Sequence, residues 1–210
     1  MKIQIKICGM KFPENIIEIA ALQPDYLGFI FYDKSPRYVA ETLPEINSEI
    51  KKVGVFVNAE YSEIMRKAKE YQLDFIQLHG EETPEFCKKI EEQSLKVIKA
   101  FNIYKEFNFS ILNNYITSCS YFLFDTKGTA HGGNGQSFDW RLLKNYHLEK
   151  TYFLSGGIGL ENVTYLNTFL KKKYAKNCMA IDLNSRFEIE PGLKNKTALK
   201  EFIQQIKQQP

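Results

Sequence analysis

Near its start the chain alternates isoleucine with other residues: residues 3–8 read IQIKIC, and Gly9 follows at once. In an extended strand the three isoleucines point to one side, whereas Gln4, Lys6 and Cys8 point to the other. One interpretation is an ordinary amphipathic strand whose polar row faces water. The other is a barrel strand whose isoleucines are covered by helices and whose second row faces the barrel interior. In that case Cys8 stands at the open carboxyl end of the strand, where βα-barrels place reactive groups.

Length and composition fit one domain, which we expect to span residues 1–210. The chain is 44% hydrophobic and 25% charged, so it has enough apolar material for a large core. Its length lies at the small end for an eight-unit βα-barrel. A formal net charge of +3 fits a small anionic substrate and is too weak to indicate nucleic-acid binding.

Cysteine usage and the lack of long apolar runs indicate the compartment. No two of the four cysteines are spaced as CxxC, which argues against a zinc site and against a disulfide framework. Free thiols are typical of a reducing compartment. The N-terminal segment resembles a strand rather than a signal peptide, and no apolar run approaches the ~20 residues that span a bilayer. We therefore expect a cytoplasmic protein with no membrane partner.

Eight short apolar runs predict strands at roughly 3–8, 25–31, 51–57, 74–78, 96–101, 120–125, 151–155 and 178–182. Segments with helical character lie between them, including one opened by Pro13, one N-capped by Thr83, and others at 61–71, 161–173 and 196–208. This alternation predicts a parallel (β/α)8 barrel of the TIM type. An open doubly wound sheet is the alternative. It usually has fewer strands and a glycine-rich loop after the first, whereas the glycine-rich loops here follow the sixth and seventh.

Two residues at predicted strand ends are candidates for acid–base chemistry. Cys8 alone is well explained as a small buried hydrophobe, but its strand-end position before Gly9 favours a functional role. Asp125 ends the sixth apolar run and precedes a glycine-rich segment, residues 126–136, that is typical of a lid or ligand clamp. The bland alternative for Asp125 is a helix cap or a loop anchor.

The loops after the last two predicted strands indicate a phosphate site. Gly156 and Gly157 follow the seventh strand, and Asn184 and Ser185 follow the eighth. Barrels commonly bind phosphate between these two loops through backbone N–H groups, and glycine lets the backbone approach the anion closely.

Arg37 and His79 are the remaining candidates for substrate binding. The guanidinium of Arg37, after the second strand, can hold a carboxylate through two hydrogen bonds, or it is simply a surface arginine. His79 ends the fourth strand and either lines the site or donates to a backbone carbonyl.

Strand parity also predicts an ion pair beneath the site. Lys6 faces inward on the first strand and Asp182 faces inward on the eighth, and in a closed barrel these two strands are neighbours. A buried ammonium needs a partner, so we expect the two groups to lie within about 6 Å of each other.

Together these motifs closely resemble the phosphoribosylanthranilate isomerase family of tryptophan biosynthesis, nearly from end to end. The matching segments are KICGM at 6–10, DYLGFIF at 25–31, SPR at 35–37, VGVFVN at 53–58, QLHG at 77–80, GGNG at 132–135, FDW at 138–140, SGG at 155–157, ENV at 161–163, and Asp182, Ser185, Glu188 and PG at 191–192. The resemblance implies a (β/α)8 barrel that acts on a small phosphorylated substrate with neither cofactor nor metal.

The resemblance further implies an Amadori rearrangement and a role for each candidate. Cys8 is then the general base and Asp125 the general acid, while Arg37 holds the anthranilate carboxylate. The late glycine loops, with Gly133 in the first of them, hold the phosphate. Free cysteine titrates near 8.5 and aspartate near 3.9, so we expect the site to lower the pKa of Cys8, through Lys6, and to keep Asp125 protonated.

Departures from the family pattern and two alternatives remain. Arg186 stands where the family usually has glycine, so it either contacts the phosphate through its side chain or points to solvent. The histidine-pathway isomerase performs the same rearrangement on a doubly phosphorylated substrate, but it uses a carboxylate at the end of the first strand. A non-catalytic barrel that binds a phosphorylated metabolite is the other alternative. We expect a monomer or a homodimer.

Overall fold

The computed structural model describes residues 3–125 and 140–207, in which eight parallel strands close into a barrel. Each strand is hydrogen-bonded to the next in chain order, and the eighth pairs with the first. The strands are β1 Gln4–Cys8, β2 Tyr26–Ile30, β3 Lys51–Phe56, β4 Phe75–Leu78, β5 Lys96–Asn102, β6 Tyr121–Asp125, β7 Tyr152–Leu154 and β8 Cys178–Leu183. The closed order confirms the predicted TIM-type barrel, and the open sheet is wrong.

The α-helices of the described residues all lie in segments that the sequence predicts to be helical. They are α1 Pro13–Ala20, α2 Tyr61–Tyr71, α3 Pro84–Glu91, α4 Val163–Leu170 and α5 Lys196–Lys207. Thr83 caps α3 as predicted, because its Oγ1 accepts the backbone N–H of Phe86 at 3.3 Å. None of these helices is both long and apolar enough to cross a membrane.

The predicted alternation of strands and helices is wrong in three of the intervals between strands, where no α-helix is found among the described residues. Residues 31–50, between β2 and β3, form turns and one bridge but no helix. Pro36 and Pro44 interrupt this segment. A proline inside a helix lacks the N–H that the helix needs, and it also disfavours a helical backbone at the residue before it. Short 3-10 helices stand in the other two intervals, at Phe109–Tyr115 before β6 and at Trp140–Asn145 before β7.

The two faces of β1 are buried in different environments, as the barrel interpretation requires. Ile5 and Ile7 are fully buried in the layer between the strands and the helices. Lys6 and Cys8 are buried on the opposite face, which points into the barrel. The alternation in residues 3–8 therefore separates an apolar outer row from a polar inner row.

Aromatic rings fill the barrel interior toward the amino ends of the strands. The ring of Tyr26 meets those of Phe75 and Phe153 edge to face, with centroids 5.4 and 5.3 Å away. Each such pair contributes about 0.5–1.5 kcal/mol beyond the area it buries. This packing closes the floor of the barrel, so a small molecule reaches the inner polar row from the carboxyl-terminal mouth.

A short antiparallel hairpin after β8 brings two charged residues to the mouth. Its strands are β9 Glu188–Glu190 and β10 Leu193–Lys194. The turn between them contains Gly192, whose φ of +93° lies in the left-handed region that favours glycine. A Cβ at this position would also lie 2.8 Å from that of Lys11, so the turn requires glycine on both counts.

Candidate active site

The Cys8 thiol and the Asp125 carboxyl group face the mouth of the barrel from opposite sides. Cys8 is the last residue of β1 and Asp125 the last of β6, and β7 and β8 separate these strands in the closed order. Both side chains are largely buried, with Cys8 4% exposed and the Asp125 side chain 16% exposed. A proton acceptor and a proton donor placed in this way can act on two faces of one small molecule.

The predicted ion pair beneath the mouth is confirmed. Lys6 lies opposite Asp182 in the register of β1 and β8, and its Nζ donates to Oδ1 at 2.8 Å. The second carboxylate oxygen accepts from the Ser155 hydroxyl at 3.2 Å. Burial alone would lower the pKa of Lys6, but the charges of Asp182 and Cys8 outweigh it and raise that pKa. Lys6 is therefore a permanent cation beside the thiol.

Burial dominates the electrostatics of Cys8. Desolvation raises its pKa above the ordinary thiol value, while Lys6 and Lys194 pull it down and Asp182 adds to the rise. The expectation that the site lowers the pKa of Cys8 is thus wrong in sign, although Lys6 acts in the expected direction. Gly28 on β2 leaves room for the sulfur, because a Cβ there would lie 2.8 Å from Sγ.

His79 follows β4 directly and contacts Asp125 rather than a backbone carbonyl. Its Nε2 lies 3.3 Å from Oδ2 of Asp125, and its Nδ1 lies 2.8 Å from Nε2 of Gln77. With the Gln77 amide donating to Nδ1, the neutral ring carries its proton on Nε2 and donates to the carboxyl group. This bond fixes the orientation of the Asp125 carboxyl group at the mouth.

Arg37 is held against the mouth by Glu188 from the hairpin. Its Nε donates to Glu188 at 2.8 and 3.1 Å, and its Nη2 donates at 2.5 Å. Burial opposes ionisation of Glu188, but hydrogen bonds from Arg37 and Lys194 outweigh it and hold its pKa at about 2. The arginine also passes close over Gly9, where a Cβ would lie 2.7 Å from Cδ of Arg37. Gly9, next to Cys8, therefore makes room for this side chain.

Lys194 is a charged residue of the mouth that the sequence analysis missed. It is 1% exposed, and its Nζ donates to Glu188 and to Asn184 Oδ1, at 2.7 Å each. Burial lowers the pKa of Lys194, and Glu188 opposes that shift. The available signal was its position two residues after Gly192, the end of the last motif that matched the family.

The loops predicted to bind phosphate adopt conformations suited to close approach. Gly156 and Gly157 have φ of +91° and +63°, and a Cβ on Gly157 would meet nothing within 4 Å. Glycine is therefore required at 157 by backbone conformation and not by crowding. Ser185 opens a 3-10 helix, Ser185–Phe187, while the Asn184 side chain is committed to Lys194. Gly133 lies outside the residues that the structure describes.

Arg186 turns toward the loop that follows β7. Its Nε lies 3.7 Å from Oε1 of Glu161, and the two side chains are 49% and 58% exposed. An exposed ion pair of this kind contributes about 0–1 kcal/mol. Arg186 therefore neither points simply to solvent nor occupies the place of a buried anion ligand.

Comparison with known proteins identifies the kind of barrel to which this site belongs. A family model described as N-(5′-phosphoribosyl)anthranilate (PRA) isomerase matches residues 5–205. The N-(5′-phosphoribosyl)anthranilate isomerase of Parabacteroides distasonis is 47% identical over 208 residues, which cover 96% of this chain and 92% of the relative. The corresponding protein of Phocaeicola vulgatus is 42% identical and covers 97% and 98% of the two chains.

Solved structures are similar over the same length. The phosphoribosylanthranilate isomerase of Thermotoga maritima has a TM-score of 0.83 and 35% identity, covering 98% of each chain. A phosphoribosylanthranilate isomerase in complex with reduced 1-(o-carboxyphenylamino)-1-deoxyribulose 5-phosphate has a TM-score of 0.80 and 33% identity, again covering 98% of each chain. A third structure contains monomers generated from the dimeric Thermotoga maritima isomerase, with a TM-score of 0.79, 33% identity, and coverage of 99% and 100%.

Proposed function

This chain belongs to the N-(5′-phosphoribosyl)anthranilate isomerase family, and on that premise we propose how its residues divide the work of the reaction. The enzyme converts N-(5′-phosphoribosyl)anthranilate into 1-(2-carboxyphenylamino)-1-deoxyribulose 5-phosphate, a step of tryptophan biosynthesis. In our proposal Asp125 is the general acid and Cys8 the general base. The observation that carries this assignment is the placement of the two groups on β6 and β1, across one mouth.

The proposed proton transfers need one acid and one base. Asp125, protonated, gives its proton to the ribose ring oxygen, and the C1′–oxygen bond breaks to leave an iminium. The Cys8 thiolate then removes the proton from C2′, and the electron pair of that bond neutralises the iminium to form an enolamine. The enolamine tautomerises to the ketone by moving a proton from oxygen to carbon. The enzyme ends with Cys8 protonated and Asp125 ionised, and proton exchange with water resets both groups.

We assign Arg37 to the anthranilate carboxylate and the late loops to the phosphate. The charge around Arg37 supports the first assignment, because Arg37 and Lys194 both bond to Glu188 and together carry one positive charge more than it balances. The backbone conformations of Gly156 and Gly157 support the second, and Ser185 follows β8, the strand next to β7. His79 acts in this scheme through its bond to Asp125 and borders the substrate.

We also propose the molecular and cellular setting. Residues 1–210 act as one isomerase domain, supported by a barrel that draws its strands from Gln4 to Leu183. The four unpaired cysteines support a reducing, cytoplasmic location. The protein acts as a monomer or a homodimer, and light scattering of the purified chain distinguishes the two.

The histidine-pathway isomerase does not fit this chain. It uses a carboxylate at the end of the first strand, where this chain has the thiol of Cys8. The family match covers residues 5–205 and names the tryptophan-pathway substrate.

The test is turnover of freshly generated phosphoribosylanthranilate, followed by loss of anthranilate fluorescence. The substrate decays spontaneously, so buffer without protein supplies the baseline, and the Cys8→Ser protein, which keeps the shape of the side chain, is assayed beside the wild type. We expect wild-type turnover at least about 10²-fold above that of Cys8→Ser. A Cys8→Ser rate close to wild type would remove the base assignment. Decay at the baseline rate with folded wild-type protein would indicate the barrel that only binds a phosphorylated metabolite.

A further inference from the structure

Only some of the N–H donors of the Arg37 guanidinium are available to a ligand. Its Nε and Nη2 are occupied by Glu188, and no acceptor for Nη1 lies among the residues that the structure describes. A carboxylate of the substrate would therefore meet Nη1 and the second proton of Nη2, at the end of the group away from Nε. This end points in one direction only as long as Glu188 holds the other edge.

Glu188 creates an electrostatic problem for such a site. A carboxylate paired with a single arginine cancels its charge, and a neutral pair attracts a second carboxylate weakly. Lys194 removes this cancellation, because its Nζ donates to Glu188 Oε1 at 2.7 Å. Two cations around one carboxylate leave a net positive charge. Gly192 N–H adds a further bond to the same oxygen at 3.1 Å.

Lys194 is fixed in place from two sides. Its backbone N–H donates to Asn15 Oδ1 at 2.8 Å, and its carbonyl accepts from Asn15 Nδ2 at 3.0 Å, which ties the hairpin to α1. Its ammonium donates to Asn184 Oδ1, an atom only 2.8 Å from where a Cβ on Gly9 would lie. The ammonium thus lies beside the residue that follows Cys8, although its backbone belongs to a peripheral hairpin.

We propose that Lys194 is a positioning residue that balances the charge of Glu188, so that Arg37 keeps both a fixed direction and a net positive charge toward the substrate carboxylate. The inference rests on the assignment of Arg37 made above and extends it to two residues with no contact to the reacting atoms. A purely structural Lys194, which only anchors the hairpin to the barrel, is the competing explanation. The two differ in what happens to recognition of the carboxylate.

The measurement is binding of two probes at equilibrium. The first is the reduced product analogue 1-(2-carboxyphenylamino)-1-deoxyribitol 5-phosphate, and the second is the same molecule without its carboxyl group. The ratio of their affinities isolates the carboxylate subsite and does not depend on proton transfer by Cys8. Charge-assisted hydrogen bonds predict a wild-type preference for the carboxylated probe of about 10- to 100-fold.

Lys194→Met is expected to reduce this preference at least about tenfold, because Glu188 then neutralises Arg37. The double variant Lys194→Met/Glu188→Gln is expected to recover it to within about threefold of wild type, since the excess negative charge is gone and the amide oxygen of the introduced glutamine still accepts a bond from Arg37. A structural role predicts the opposite, with the double variant no better than the single. An unchanged preference in Lys194→Met would also overturn the proposal.

Three further variants keep the result interpretable. Lys194→Gln retains a donor for Asn184 without the charge and carries the same prediction if the methionine variant does not fold. Lys150→Met is the matched control, because Lys150 is a partly buried lysine at the amino end of β7 that donates to the backbone oxygen of Cys119. It should leave the preference unchanged. Arg37→Gln should abolish the preference. If it does not, the assignment of Arg37 itself fails, whereas loss in Arg37→Gln with retention in Lys194→Met defeats only the role of Lys194.

Discussion

Lys6 and Asp182 lie directly opposite each other where β8 closes onto β1, and their side chains form a buried ion pair of 2.8 Å. Ser155, just after β7, donates to the second oxygen of the carboxylate. The pair therefore links the last strands of the barrel to the first. It also sets a fixed cation two residues from Cys8, so one contact serves both the closure of the fold and the acid–base chemistry.

Replacement of Lys6 by methionine should destabilise the protein strongly. Lys6→Met leaves the Asp182 carboxylate buried without its cation, and breaking a buried pair in this way costs about 3–5 kcal/mol. Urea unfolding followed by circular dichroism measures the loss. The double variant Lys6→Met/Asp182→Asn should regain most of the stability, because no uncompensated charge remains. A double variant that is no more stable than the single would show that the charge is not the cause.

Replacement of Asp125 by asparagine should reduce kcat by roughly 10²- to 10⁴-fold. Asparagine keeps the shape of the side chain and can still accept the bond from His79, but it has no acidic proton for the ribose ring oxygen. Steady-state kinetics should show KM within a few-fold of wild type. Asp74→Asn, at the amino end of β4, is the control and should keep wild-type kcat. A large rise in KM with normal kcat in Asp125→Asn would make Asp125 a binding residue instead of the acid.

Replacement of Arg186 by glycine should have little effect. The side chain pairs with Glu161 at 3.7 Å on the surface, and exposed pairs contribute about 0–1 kcal/mol. We expect thermal unfolding close to wild type, because the exposed pair contributes little to stability, and a KM changed by no more than about threefold, because this account gives Arg186 no contact with the substrate. An increase of KM by tenfold or more would show that Arg186 leaves Glu161 to bind the substrate phosphate.

The barrel was predictable because its signals are local and repeated. Each strand is a short apolar run, and the parity of residues 3–8 separates the two faces of β1 in the sequence itself. The Lys6–Asp182 pair needed one further step, the closure of the barrel, which brings together residues 176 apart in the chain. The missing helix in residues 31–50 was less visible, since apolar residues occur there without a continuous helical pattern.

The cluster of Arg37, Glu188 and Lys194 at the mouth was not predictable in the same way. Arg37 and Glu188 are 151 residues apart, and neither lies in a barrel strand whose parity would orient it. Lys194 enters through a hairpin turn, so no periodic pattern points to its burial. The sign of the Cys8 pKa shift depends on the balance between desolvation and two cations. That balance depends on packing around the sulfur, which residue spacing does not contain.

The dependence of kcat/KM on pH tests most directly whether the Cys8 thiolate is the base. Burial raises the pKa of Cys8 above its ordinary value, so the thiolate is a minor species at neutral pH and its fraction grows about tenfold per pH unit below that pKa. In Asp125→Asn the acid no longer titrates, so its residual kcat/KM should rise steeply between about pH 7 and 9, in the same way when the control replacement Cys178→Ser is added. A profile of Asp125→Asn that is flat or falls across this range would contradict the assignment of Cys8 as the base.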